Sequence, residues 1–300
     1  MEKIKIGYFA DGPWSHLAFE KIIKDKSITI GFIVPRSDSN DDTLKNYAKS
    51  YGIDYLQGIN VNSDSFYTKA NNYNCDLFVS MSFNQIFKTK IMNLPKLKTI
   101  NCHAGKLPFY RGRNILNWAL INDEKEFGIT VHYIDEGIDT GDIILQNLFP
   151  INDLDNYETL LNKAYTGCSD SIYNGIKIIQ NESVKPIKQN TIHPIGMYCG
   201  QRKKGDEIIN WNQTSRQLFN FIRSITYPGP CAQSKKENSD VICKIIKAEE
   251  IKGAPYYKGI PGQIIGKEKN TYIVKTLDSS LKLIDIEMES GFLKIGDRLI

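Results

Sequence analysis

Asn101 and His103 stand one residue apart at the end of a short apolar run, and Asp139 lies further on in an acidic loop, Asp135-Glu136-Gly137-Ile138-Asp139-Thr140-Gly141-Asp142. Alternation along a strand puts Asn101 and His103 on the same face. An amide, an imidazole and a carboxylate together suit acyl-group chemistry. An amide N–H can donate to a carbonyl oxygen becoming an oxyanion. An imidazole can move a proton, and a carboxylate can orient and charge that imidazole. Cys102 sits between the two, but the same alternation turns it to the opposite face and argues against a nucleophilic thiol.

These residues need elements that deliver them to one place. The segment 98–144 reads as a strand, a Gly/Pro/Arg loop, a helix over about 114–122, a second strand over 128–134, and the acidic loop. Polar groups therefore fall where strands end, the ligand-binding edge of an open α/β sheet. Upstream, 4–9 and 28–34 are apolar strands flanking a helix to about Lys24, with Ser15 as its expected cap. Helices are expected over 43–51 and 63–71, strands over 76–80 and 143–149, and a long helix over 157–179. The fold class is α/β with a doubly wound, mostly parallel sheet. No Gly-x-Gly-x-x-Gly follows the first strand, so that type of dinucleotide site is not expected. His132, on an alternating strand, is read as structural, and 186–194 as a polar linker.

Asn101-Cys102-His103, Leu107-Pro108, Tyr110-Arg111-Gly112, Trp118-Ala119, the run from Gly128 to His132 and the loop from Asp135 to Asp142 resemble the blocks of folate-dependent formyltransferases, in the same order and spacing. The resemblance implies a Rossmann-like catalytic domain, a catalytic trio of Asn101, His103 and Asp139, and 10-formyltetrahydrofolate as formyl donor. It also implies a folate slot lined by Met81, Phe83 and Ile86, with Tyr133, Asp135, Glu136 and Gly137 supplying backbone groups. No metal is implied. Lys106, Tyr110, Arg111 and Arg113, on the loop after His103, are candidates to hold an anionic substrate.

The remaining numbers narrow the setting. At 300 residues two domains are expected, 1–185 catalytic and 186–300 with a helix and a small, mainly β, barrel-like module. No apolar run approaches a membrane span, the N-terminus carries no signal-peptide pattern, and six scattered cysteines without a Cys-x-x-Cys pair suit a cytoplasmic, reduced protein. Net charge is +4, and residues 201–300 carry 17 basic against 12 acidic side chains, without a dense basic run.

The acceptor amine is the open point. The segment from Arg202 to Pro230 resembles the part of sugar N-formyltransferases that faces the nucleotide-sugar pocket, which implicates Arg202, Asn220 and Arg223. The loop Ser37-Asp38-Ser39-Asn40-Asp41-Asp42 is acidic where methionyl-tRNA formyltransferases carry a basic insertion, and would repel a nucleic-acid backbone. The expectation is therefore formylation of a nucleotide-linked amino sugar for a surface polysaccharide, with no nucleic-acid or membrane partner and, by analogy, a homodimer. The alternatives are a methionyl-tRNA formyltransferase or a non-catalytic folate-binding protein of the same fold.

Overall fold

The computed structural model describes residues 3–300. Its elements, in chain order, are β1 (Ile4–Ala10), α1 (Pro13–Ile22), β2 (Ile28–Val34), α2 (Thr43–Tyr51), β3 (Asp54–Tyr55), α3 (Asp64–Asn72), β4 (Leu77–Met81), α4 (Thr89–Met92), β5 (Thr99–His103), β6 (Arg111–Gly112), α5 (Ile115–Ile121), β7 (Glu126–Tyr133), β8 (Ile143–Pro150), α6 (Tyr157–Gln180), α7 (Gln189–Ile192), β9 (Tyr198–Cys199), α8 (Ser215–Ile225), β10 (Ala232–Lys235), β11 (Ile242–Glu250), β12 (Ile264–Glu268), β13 (Thr271–Lys275) and β14 (Ser280–Met288). They form two compact units: 1–112, 127–149 and 162–199 in one, and 113–126, 150–161 and 200–300 in the other. The division is thus not a single cut near 185, because α5 buries its apolar face in the second unit, with α8.

In the first unit a seven-stranded sheet runs in the order β3-β2-β1-β4-β5-β7-β8. Pairs β1–β2, β2–β3, β1–β4 and β4–β5 are parallel, and β5–β7 is antiparallel. The doubly wound expectation holds. Strands β1 and β4 are almost wholly buried, as strands covered on both faces must be, which is why they read as unbroken apolar runs. Phe9 is the hub of one core, meeting the rings of Phe32, Phe66, Phe78, Phe83 and Phe87. The strand order reverses between β1 and β4, which makes their C-terminal ends a natural ligand edge.

Two local expectations fail. The N-cap of α1 is Gly12, with Pro13 opening the helix, and Ser15 instead bonds back to the Gly12 carbonyl. Proline's fixed φ starts this helix without a side-chain cap. The stretch 186–194 is not a plain linker. Ile187 bridges to Ile143, and α7 follows with Gln189 buried.

In the second unit α8 opens with a capping box between Thr214 and Gln217. Its apolar side packs on a five-stranded antiparallel sheet, order β10-β11-β14-β13-β12. The tail 298–300 bonds to both edges of that sheet. Ile300 exchanges backbone bonds with Lys235, and Leu299 donates to Gly262. The tail thus bridges the end of β10 and the approach to β12. Strand β10 was not foreseen, because Ala232-Gln233-Ser234-Lys235 has no β-branched residue. Among the described residues no helix is long and apolar enough to cross a membrane.

Candidate active site

Strand β5 carries Asn101 and His103 to the C-terminal edge of the sheet, and β7 runs antiparallel beside it with His132 directly opposite Asn101. Cys102 points away and its thiol lies 3.6 Å from the Cys168 carbonyl. The neighbouring Cys168 thiol and burial push its thiol pKa up, so it is an inert core group.

The loop after β7 brings Asp139 back over the two histidines. Asp139 adopts φ 55°, a conformation rare for a side-chain-bearing residue. Its Oδ2 accepts from the Gly112 N–H at 2.9 Å and stands 3.6 Å from His103 Nδ1. Its Oδ1 stands 3.5 Å from His132 Nε2. Burial alone would raise this carboxyl, but the positive charge that His103 and His132 carry when protonated, together with the Gly112 amide, outweighs it and holds Asp139 below the usual carboxylate range.

The backbone partners fix the tautomers. His103 Nε2 lies 2.7 Å from the Tyr110 carbonyl oxygen, which can only accept. Nε2 therefore carries the proton, and Nδ1 presents its lone pair on the side of Asp139. His132 Nδ1 likewise donates to the Tyr133 carbonyl at 2.8 Å, leaving Nε2 to accept from Asn101 Nδ2 at 3.3 Å. Burial lowers the pKa of His103 despite Asp139 nearby, so the ring is neutral and can accept a proton. Gly105 makes this arrangement possible, since a Cβ there would lie 2.4 Å from both His103 Nε2 and the Tyr110 oxygen.

Gln189 ties the loop from below. Its amide donates to the carbonyls of Asp139 and Gly141, both at 2.8 Å, and its oxygen accepts from Arg111 Nε and Nη2 at 3.1 and 2.6 Å. Arg111 also lies over the Tyr198 ring. It holds the loop, and its guanidinium is engaged there.

The sequence-selected residues divide as follows. Asn101, His103 and Asp139 come together. His132 and Gln189, not singled out as site residues, join them; strand register and a buried linker glutamine carried no sequence signal. Tyr110 contributes its carbonyl and is itself buried. At the end of β4, Met81 is buried against Tyr8; on the segment that follows, Phe83 packs on Phe9 and Ile86 is 71% exposed. The same segment holds Asn84 Oδ1, buried without a partner. Tyr133 is half-buried, Asp135 accepts from Gly137 N and Thr140, and Glu136 accepts from Thr89. Lys106 abuts Gly128.

In the second unit Arg113 reaches Gln201. Arg202 lines a cavity of about 390 Å³ with Lys203, Lys204, Asn114, Asn117 and Tyr157. Asn220 and Arg223 do not line it. Both are buried, with Arg223 bonded to Asn220 and to the carbonyls of Asn152 and Asp155. Their charge and amide are spent inside the unit, which removes them as ligand-reading residues.

Comparison with known proteins agrees with the fold and corrects the acceptor. The family described as formyl transferase matches residues 16–170, and the formyl transferase C-terminal domain matches 202–292. A methionyl-tRNA formyltransferase of Thermodesulfovibrio yellowstonii is 38% identical over 246 residues, covering 82% of this chain and 76% of that protein. One of Fusobacterium nucleatum is 28% identical over 99% of this chain and 100% of its own. WlaRD, a sugar 3N-formyl transferase solved in the presence of dTDP and 5-N-formyl-THF, shares the fold at a TM-score of 0.71 and 24% identity, covering 97% of this chain and 100% of that one.

The sequence relatives overturn the expected nucleotide-sugar acceptor and the expected absence of a nucleic-acid partner. The acidic loop was misjudged because its charges are locally matched. Arg36 bonds Asp38 twice at 2.8 Å and Lys45 pairs with Asp42. The chain belongs to the formyl transferase family, by both its N-terminal and its C-terminal domain.

Proposed function

We propose that this protein transfers a formyl group from 10-formyltetrahydrofolate to the amino group of methionyl-tRNA, in the cytoplasm. The observation that carries the reading is the 38% identity to a methionyl-tRNA formyltransferase over most of both chains. A second comes from the molecule itself: the cavity in the second unit is lined by three cations, Arg202, Lys203 and Lys204, against one carboxylate, Glu207, a balance that suits a phosphate-bearing ligand.

The folate fits the first unit on two observations. Ile86 offers an exposed apolar surface, and Asn84 Oδ1 is a buried acceptor without a donor. When bound, the folate supplies a formyl carbon already attached to a nitrogen leaving group. Phe83 and Ile86, with backbone groups at Tyr133 to Gly137, are the residues assigned to hold it, whereas the Met81 side chain is buried against Tyr8.

The remaining steps belong to the chain. Asn101 donates an amide N–H to the formyl oxygen as negative charge develops there. His103, neutral and with Nδ1 unprotonated, takes the proton that the attacking amine releases as the new carbon–nitrogen bond forms, and returns it to the departing nitrogen as the old one breaks. Asp139 faces that nitrogen and stabilises the imidazolium. His132, accepting from Asn101, fixes which way the amide points. The test is formylation of methionyl-tRNA by the purified protein with 10-formyltetrahydrofolate, read on acid gels. Formyl-methionyl-tRNA is the expected product, and its absence while folate still binds would overturn the reading.

A further inference from the structure

Asp11, His16 and Asp41 lie together at the C-terminal end of β1, where the strand order reverses. Each offers one ligand atom, and these atoms all lie within 4.8 Å of one another. Asp11 is only 4% exposed. Its Oδ1 accepts from the Gly12 N–H at 2.7 Å, but its Oδ2 is buried with no hydrogen-bond partner. His16 Nε2 is also buried and unbonded, 3.6 Å from Asp41 Oδ2. A buried carboxylate oxygen and a buried ring nitrogen, each without a hydrogen bond and on residues whose ligand atoms lie within 4.8 Å of one another, cost free energy unless something joins them.

We propose that Asp11, His16 and Asp41 bind a divalent first-row transition cation, which fastens the loop 36–42 to the start of α1. Two ligands each about 2.0–2.2 Å from a tetrahedral ion stand roughly 3.4 Å apart, close to the separation of His16 and Asp41. Two carboxylates and an imidazole favour zinc, cobalt or manganese over magnesium or calcium, which prefer all-oxygen sets. Asp41 Oδ1 is already fixed by the Thr43 N–H, so Oδ2 is the free ligand atom. Arg36, the nearby cation, is bound twice by Asp38 and acts on Asp11 through charge without a hydrogen bond to it.

The site is separate from the His103 cluster and does not depend on the identity of the acceptor. It is tested on the full chain, stripped with a chelator, kept reduced, and titrated with cobalt(II) and then zinc(II). One equivalent should bind, with cobalt absorption of nitrogen and oxygen ligation and no thiolate charge-transfer band. Asp41→Asn changes a half-exposed side chain, so folding is not at risk. It and His16→Ala should each weaken binding by at least about tenfold, whereas His103→Ala should leave it intact. Binding lost in His103→Ala but kept in His16→Ala would overturn the proposal and place the ion at the other cluster. No saturable binding would also overturn it, leaving a water between the two orphaned atoms.

Discussion

His103 Nδ1 stands 3.6 Å from Asp139 Oδ2 while Nε2 of the same ring is committed to the Tyr110 carbonyl at 2.7 Å. The imidazole therefore presents an unprotonated nitrogen next to an ionised carboxylate, and the proton it gains is met by negative charge. His103→Ala should lower kcat by about 10²–10⁴-fold with the melting temperature little changed.

The pH profile carries the sign. Burial lowers the pKa of His103, so the base stays neutral below the ordinary value of about 6.5. In kcat/KM the acid limb should fall below that value, with activity lost as pH drops through it. Asp139 works against burial by favouring the protonated ring. Asp139→Asn should therefore lower the maximal rate and shift the acid limb further down. An upward shift would mean that Asp139 does not act on His103 through charge.

Gly105 tests the backbone brace. A methyl there would lie 2.4 Å from His103 Nε2 and from the Tyr110 oxygen, and the Gly105 carbonyl also accepts from Thr130 Oγ1 at 2.6 Å. Gly105→Ala should displace the ring and cost at least about 10²-fold in kcat, while circular dichroism stays that of the parent. Activity within twofold of the parent would show that the ring has room to move.

Much of this was legible before the fold was known. Parallel strands buried on both faces read as unbroken apolar runs, so β1, β2 and β4 were found. The Asn101–His103 spacing announced one face of β5. His132 was undervalued because its importance comes from register: only pairing with β5 sets it opposite Asn101. Gln189 was invisible because a polar residue in a polar linker looks solvated until the bridge from Ile187 to Ile143 pulls it under the Asp139 loop. The acidic loop and Arg223 misled for one shared reason. A charge in sequence shows no partner, and Arg36, Lys45 and the carbonyls of Asn152 and Asp155 are those partners.

Gln189 should behave as a positioning residue. Gln189→Leu keeps the volume but leaves the carbonyls of Asp139 and Gly141 without their donors, and Arg111 without its acceptor. Each buried group left unsatisfied costs about 1–3 kcal/mol, so the melting temperature should drop. Asp139 would also lose its fixed backbone, so kcat should fall by more than KM rises. A purely structural role would lower stability and leave the kcat of the folded enzyme alone.

Arg223 gives the opposite pattern. It is 6% exposed in the second unit, its Nη1 bonded to the carbonyls of Asn152 and Asp155 and its Nε to Asn220. Its guanidinium lies over the Phe219 ring. Arg223→Met retains the apolar stem and removes every one of those bonds. Chemical denaturation should show a loss of about 2–4 kcal/mol, since the buried Asp155 carbonyl, the part-buried Asn152 carbonyl and the Asn220 amide oxygen lose their charged donor. At a temperature where the variant is still folded, KM for the amine acceptor should match that of the parent. A raised KM with unchanged unfolding would return Arg223 to the ligand, and the buried hydrogen bonds would then have to open when substrate binds.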